Sequence, residues 1–243
     1  MKSKIKYIQS LSHKKHRDSD KVFIAEGPKI INELLSEPAF EAVQLFAVRS
    51  WIDSYTGNHL HSITEVDEQQ LERISFLSTP NQVLGIFRMP DPAEFDPGNK
   101  ISILLSNIQD PGNMGTIIRC ADWFGIEQIV CSIDCVDAFN PKVVQATMGS
   151  IARVKVIYQP LEEIIRKHPT VQVLAATLNG KNVKEMQQVK EAMLLIGNES
   201  RGIPDELLQL PHEKITIAKK GQAESLNAAL ATAIILHSIA GWA

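Results

Sequence analysis

Residues Asn107–Gly125 read NIQDPGNMGTIIRCADWFG and follow the apolar run ISILLS at 101–106. So short an apolar run, broken by Asn, Asp, Pro, Gly, Asn and Gly, reads as a buried strand ending in a tight loop. Pro111 suits the first turn of a helix, and Asp110 or Asn113 can cap it. Gly112 and Gly115 permit another backbone to come close. Met114, Ile117, Ile118, Ala121 and Phe124 then recur at helical spacing and should face a core. Arg119 stands off that stripe, beside Thr116 and Asp122. A solvated pairing with Asp122 is its plain structural reading.

The same grammar repeats downstream. The segments EQIVCSI, RVKVIY, VQVLAAT, AMLLIGN and EKITIA read as short strands, with helical patterns between most of them. This alternation predicts an α/β domain over 101–243, with a parallel sheet covered on both faces. Ligands in such sheets bind outside the carboxyl ends of the strands. Two further strand ends carry polar clusters. In LLIGNESRGIP (Leu194–Pro204), Glu199 can accept hydrogen bonds from a ligand or from loop amides; an ordinary turn satisfied by Asn and Ser is the alternative. In ITIAKKGQAESLNAALATAIIL (Ile215–Leu236), Glu224, Ser225 or Asn227 can cap a long alanine-rich helix whose free N–H groups suit polar ligands. That helix is apolar on most faces, so it must be buried in its domain or against a partner chain.

Upstream, FRMPDPAEFDPGNK (Phe87–Lys100) holds three prolines and no periodic pattern, and residues 91–100 read as a linker. Residues 1–90 alternate again. KVFIAEG, AVQLFAV and, more weakly, NHLHSI and VLGIFR are strand candidates. PKIINELLSE and DEQQLERISFL are helix candidates, which makes a second, small α/β domain.

The 243 residues are 44% hydrophobic and 22% charged, as in soluble globular proteins. No membrane-length apolar run and no signal-like leader occur. Cys120, Cys131 and Cys135 show no C-x-x-C spacing, so neither a disulfide framework nor a metal site is expected, and a reducing cytoplasm is. Net charge is −3, yet residues 1–31 carry eight Lys or Arg against three acids, densest at HKKHR (His13–Arg17). That run is either a solvated turn or a phosphate-binding patch. There is no G-x-G-x-x-G after a strand, no Walker loop, no G-x-S-x-G and no assembled Ser–His–Asp set. His59 and His61 read as surface residues rather than metal ligands.

Taken in order, the three clusters resemble the motifs of the SpoU (TrmH-type) family of SPOUT RNA methyltransferases. The first matches at Asn107, Asp110, Pro111, Asn113, Gly115 and Arg119. The second matches at Gly197, Glu199 and Gly202, and the third at Ile217, Gly221, Glu224, Ser225, Leu226 and Asn227. The basic start and FIAEGPKIINELL resemble, more loosely, the family's small RNA-binding domain. The resemblance implies a C-terminal trefoil knot, a homodimer, and methyl transfer from S-adenosylmethionine to a ribose 2′-hydroxyl of RNA. Ribosomal RNA is the favoured substrate and transfer RNA the alternative. It further implies a catalytic set of Arg119, Asn113, Glu199, Ser225 and Asn227. Backbone near Thr177, Leu178, Gly197, Ile217 and Leu226 would hold the cofactor, and Lys14, Lys15 and Arg17 would contact RNA. Ala218 stands where the third motif has proline, and Lys219 and Lys220 replace an apolar-small pair; the spacing to Leu226 is kept. The rival readings are a non-catalytic RNA-binding protein with this fold and a nucleotide-dependent enzyme of ordinary doubly wound topology.

Overall fold

The structure, a computed structural model, describes residues 2–57 and 63–240. His59 and His61, and all but the last residue of NHLHSI, lie outside the described residues. The first elements are α1 (Lys2–Ser10), α2 (Lys14–Asp20), β1 (Val22–Glu26), α3 (Pro28–Ser36), β2 (Ala42–Ala47), α4 (Arg49–Ser54), β3 (Ile63–Glu65), α5 (Glu68–Ile74) and β4 (Val83–Arg88). Then come β5 (Ile101–Leu105), α6 (Pro111–Trp123), β6 (Gln128–Cys131), α7 (Pro141–Ala146), β7 (Lys155–Tyr158) and α8 (Leu161–Lys167). The chain continues with β8 (Val173–Asn182), β9 (Ala192–Ile196), α9 (Asp205–Leu208), β10 (Glu213–Thr216) and α10 (Ala228–Ile239).

Two compact units result. The first comprises Met1–Asp91 together with Asp137–Ala152, and the second comprises Pro92–Val136 and Arg153–Ala243. The excursion 137–152 was read with the C-terminal domain, but it clusters with the first unit. Its Phe139 ring lies 4.7 Å from that of Phe23.

The first unit is a four-stranded sheet of order β1-β4-β2-β3, antiparallel except between β2 and β3. Period-two alternation sends Val22 and Ile24 to one face, where they meet Ile8, Leu11, Phe46, Leu71 and Ile86. Phe23 faces the other side, against Phe40 and Phe87. A Cβ at Gly85 would fall 2.5 Å from Phe87 Cε2, 2.8 Å from Ile31 Cδ1 and 2.9 Å from Leu45 Cδ2, so a larger residue there would push these side chains aside where α3 packs on β4. Asp67 and Gln70 form a reciprocal capping box that starts α5.

The second unit carries a six-stranded sheet, β10-β8-β9-β5-β6-β7, with every pair parallel. The two central strands, β5 and β9, are buried along their whole length, as continuous apolar runs require. Leu104, Val130, Val173, Met193 and Leu195 share one core cluster with Leu161, Ile164 and Ile165 from α8. From β5 the chain winds outward through β6 to β7, then returns on the other side through β8, β9 and β10. The order therefore reverses between β5 and β9, and the crevice at such a reversal is where loops diverge and ligands fit.

The segment read as a linker is an ordered strap within this unit. Phe95 is only 9% exposed and packs edge-on against His168. Gln128 clamps the strap, accepting from the Asp96 N–H (3.1 Å) and donating to the Glu94 carbonyl (3.2 Å).

Candidate active site

At the carboxyl end of β5 the Ser106 N–H donates to the Ile196 carbonyl of β9, which ties the two central strands at their tips. Asn107 then takes a left-handed backbone conformation (φ 57°), which asparagine tolerates better than most residues. The turn is over-determined. Asn107 N–H donates to Ser132 Oγ (3.0 Å), its side-chain amide donates to Asp134, and its carbonyl accepts from Asn198 Nδ2 (2.9 Å). Asp110 caps α6 by accepting the Asn113 N–H (2.8 Å), with Pro111 at the first helical position.

The loop after β9 is built by Asn198. Its Oδ1 accepts the N–H groups of Ser200 (2.9 Å) and Arg201 (3.2 Å), and its backbone bridges Gly202 in both directions. A Cβ on Gly197 would lie 2.4 Å from Gly202 C and O, so the strand exit requires glycine. With Asn198 satisfying the turn, Glu199 is left to reach outward, where its carboxylate accepts from Asn113 Nδ2.

Of the three cap candidates for α10, Asn227 does the capping. Its Oδ1 accepts from the N–H groups of Ala229 (3.0 Å) and Leu230 (3.2 Å). Its Nδ2 donates to Asn113 Oδ1 (2.7 Å). One hydrogen-bonded chain, Glu199–Asn113–Asn227, thus joins three loops distant in sequence. The carboxylate only accepts, so it fixes which end of the Asn113 amide faces which neighbour.

Beside this chain lies a cavity of about 570 Å³. All five residues expected at the cofactor line it: Thr177 and Leu178 from β8, Gly197 after β9, and Ile217 and Leu226 after β10. Glu199 and Ser225 line it too, and Ile196, Ile203 and Ile235 add apolar wall. Among the described residues no loop-type backbone–backbone hydrogen bond involves 217–226, so those N–H and C=O groups face water or a ligand.

Arg119 is exposed on α6 and is not among the cavity-lining residues. The pairing with Asp122 does not form. Arg153 engages that carboxylate with two nitrogens, Nε at 3.0 Å and Nη2 at 2.8 Å. Among the described residues no hydrogen bond or ion pair takes up the Arg119 guanidinium. Its charge is felt at the neighbouring Cys120 thiol, where burial pushes the pKa up and Arg119 pulls it partly back.

The SpoU rRNA Methylase family matches residues 100–237, the span that holds every residue of this network. The chain belongs to that family. An MRM3-like substrate binding domain matches residues 2–85. The chain is 30% identical to the 23S rRNA (guanosine(2553)-2′-O)-methyltransferase RlmP of Bacillus subtilis, over 98% of this chain and 96% of that one. It superposes on an AdoMet-bound rRNA methyltransferase from Sinorhizobium meliloti with a TM-score of 0.86 at 31% identity, covering 96% and 92% of the two chains. A TrmH-family protein from Porphyromonas gingivalis gives 0.87 at 32% identity, covering 97% and 96%.

Within the first unit of this SpoU-family chain, the RNA-contact expectation needs one correction. Lys14 and Lys15 are exposed on α2, with Lys14 ion-paired to Asp18 at 2.6 Å. Arg17 is not available to RNA, being 1% exposed. Its guanidinium donates to the Leu11 and Ser12 carbonyls (both 2.8 Å) and pairs with Asp137, which anchors the 137–152 excursion to α2. A basic run says nothing about which of its members turns inward. The turn satisfied by asparagine, set beside the functional reading of the loop after β9, is present at Asn198. Sequence reading missed Arg153 as the partner of Asp122, a pair that 31 residues separate and no local pattern joins. Among the described residues no group of three or more His, Cys, Asp or Glu is placed to hold a metal.

Proposed function

We propose that this chain transfers the methyl group of S-adenosylmethionine to a ribose 2′-hydroxyl of ribosomal RNA. The observation that carries the reading is the Glu199–Asn113–Asn227 chain beside the 570 Å³ cavity. A volume of this size with mostly apolar walls and a few convergent polar groups suits a small-molecule cofactor. The residues fit the group: Ile196, Ile203 and Ile235 offer an apolar slot, and the open backbone of 217–226 offers donors and acceptors to adenine and ribose. Thr177, Leu178, Gly197, Ile217 and Leu226 would hold it.

When bound, S-adenosylmethionine supplies a methyl group already activated by its sulfonium, so the protein need not build an electrophile. The task left to the side chains is to orient a weak nucleophile and favour the loss of its proton. Arg119 keeps its own proton in nearly every setting, which argues against its acting as a base. Its unengaged guanidinium pairs with an RNA phosphate and with the 2′-oxygen, and favours the developing alkoxide. Asn113, Glu199 and Asn227 hold the loops and the ribose in register, with Ser225 on the cavity wall. Substrate choice lies with the first unit, through exposed Lys14 and Lys15. Its match to a substrate-binding domain, and the rRNA substrate named for the Bacillus relative, favour ribosomal over transfer RNA.

The finer architecture follows the family. The chain leaves β10 beside β8, yet Asn227 is bonded to Asn113 after β5, so 217–227 crosses the tips of β8 and β9. We read that crossing as the trefoil knot. Trp123 (79% exposed), Leu230 (55%) and Ile234 (41%) form apolar surface on the packed pair α6 and α10, which suits a homodimer. Sedimentation showing a monomer at micromolar concentration contradicts this. Three free cysteines and an rRNA substrate accord with a cytoplasmic enzyme. The test of the functional reading is Arg119→Ala. Methyl transfer should fall by roughly 10²–10³, the cost of losing one preorganised donor, with cofactor affinity kept. Lost affinity with intact turnover sinks the assignment.

A further inference from the structure

The cavity has a charged rim that the reaction as described does not use. Arg201, in the loop after β9, and Lys219, in the loop after β10, both line it and are both exposed. Lys220, next along the chain, is exposed as well. Among the described residues none of the three takes part in an ion pair, although many other surface cations of this protein do. Two carboxylates line the same cavity, Glu199 and Glu224, and the bond from the neutral Asn113 amide does not offset the charge of the first. The three cations still exceed them by one, a local positive excess on a chain whose formal charge is −3.

We propose that Arg201, Lys219 and Lys220 grip the phosphates of the RNA strand flanking the target ribose and hold it at the cavity mouth. The inference rests on the methyltransferase reading and specifies how its substrate is seated. Long side chains with their charged ends in water are poor contributors to stability, but they release counterions when they meet phosphate. The backbone of 217–226 carries two of these cations and has no loop-type backbone bonds of its own among the described residues, so it can follow the strand. A single carboxylate, such as the one at the amino-acid end of the cofactor, could occupy one of the three cations and would leave two unused.

The test is RNA affinity as a function of KCl, measured by filter binding with a transcribed large-subunit rRNA fragment. Cofactor affinity is measured by calorimetry on the same proteins. The variants are Lys219→Gln/Lys220→Gln and Arg201→Gln, with Lys167→Gln on α8 as a control for lost charge alone. At a single-strand slope of about 0.7 per phosphate contact, the double variant should weaken RNA binding roughly tenfold near 0.15 M salt. It should also reduce the slope of log K against log salt by about 1.4. Cofactor affinity and the Lys167→Gln protein should match wild type. Unchanged RNA affinity and slope overturn the proposal, and so does weaker cofactor binding with RNA affinity intact. Methyl transfer by wild type is scored separately. A protein that binds this RNA with the expected slopes yet transfers no methyl refutes the functional reading, not the phosphate grip.

Discussion

Asn113→Asp changes one atom type and attacks the centre of the site. In wild type, Asn113 Nδ2 donates to the Glu199 carboxylate while Oδ1 accepts from Asn227 at 2.7 Å. The aspartate keeps the second bond and turns the first into two facing carboxylates. The lost hydrogen bond to a charged acceptor contributes about 1.5–3 kcal/mol. Both side chains are half-buried, so the new repulsion falls between the aqueous and surface limits, about 1–4 kcal/mol at 4 Å. The loops can part to relieve it, so the defect should appear in site geometry more than in global stability. We expect cofactor affinity and turnover together to fall by at least 10²-fold. Glu199→Gln alone retains an acceptor for Asn113 and should be milder. Combined with Asn113→Asp, it removes the repulsion and supplies an amide donor, so the double variant should recover at least tenfold over Asn113→Asp. The assay is calorimetric cofactor titration with single-turnover transfer on all four proteins. Strictly additive losses would refute the claim that these side chains form one unit.

Asp137→Ala leaves the Arg17 charge buried and unpaired, which should cost roughly 3–5 kcal/mol in the first unit; an unchanged denaturant midpoint for that unit contradicts the pairing. Gly197→Ala drives a Cβ to within 2.4 Å of Gly202 backbone, so cofactor binding should be lost, and normal affinity would show that the loop has room. Burial raises the Glu26 pKa despite hydrogen bonds from Ser75 and Phe76 that lower it. A carboxyl whose folded pKa is raised favours folding fully below its unfolded pKa, and that contribution is lost as pH rises through the folded value. Stability of the first unit should therefore decline from the ordinary glutamate range up to the raised pKa. Glu26→Gln should flatten that decline in urea titrations at stepped pH, and an unaltered slope would rule the group out.

Much of the second unit was legible because parallel strands buried on both faces leave short apolar runs, and β5, β6 and β9 fall where such runs occur. The three polar clusters were also readable, since Pro111, Gly197 and Asn227 each have a local backbone reason to stand where they do. What could not be read was the pairing between clusters. Asn113 and Asn227 are 114 positions apart, and only the strand order brings them together. The same limit explains Arg17, whose inward turn depends on Asp137 at a separation of 120. Phe95 misled in another way. A single aromatic among prolines shows no period, so a packed strap read as a free linker.

The central claim is best tested by incubating wild-type protein with methyl-tritiated S-adenosylmethionine and unmodified transcribed ribosomal RNA, then hydrolysing the product in alkali. A methylated 2′-oxygen cannot assist cleavage of its own phosphodiester. The account predicts label in an alkali-stable dinucleotide, absent with Arg119→Ala. Label confined to mononucleotides would mean methylation of a base, and no label on any ribosomal RNA would mean that the fold is kept without the reaction.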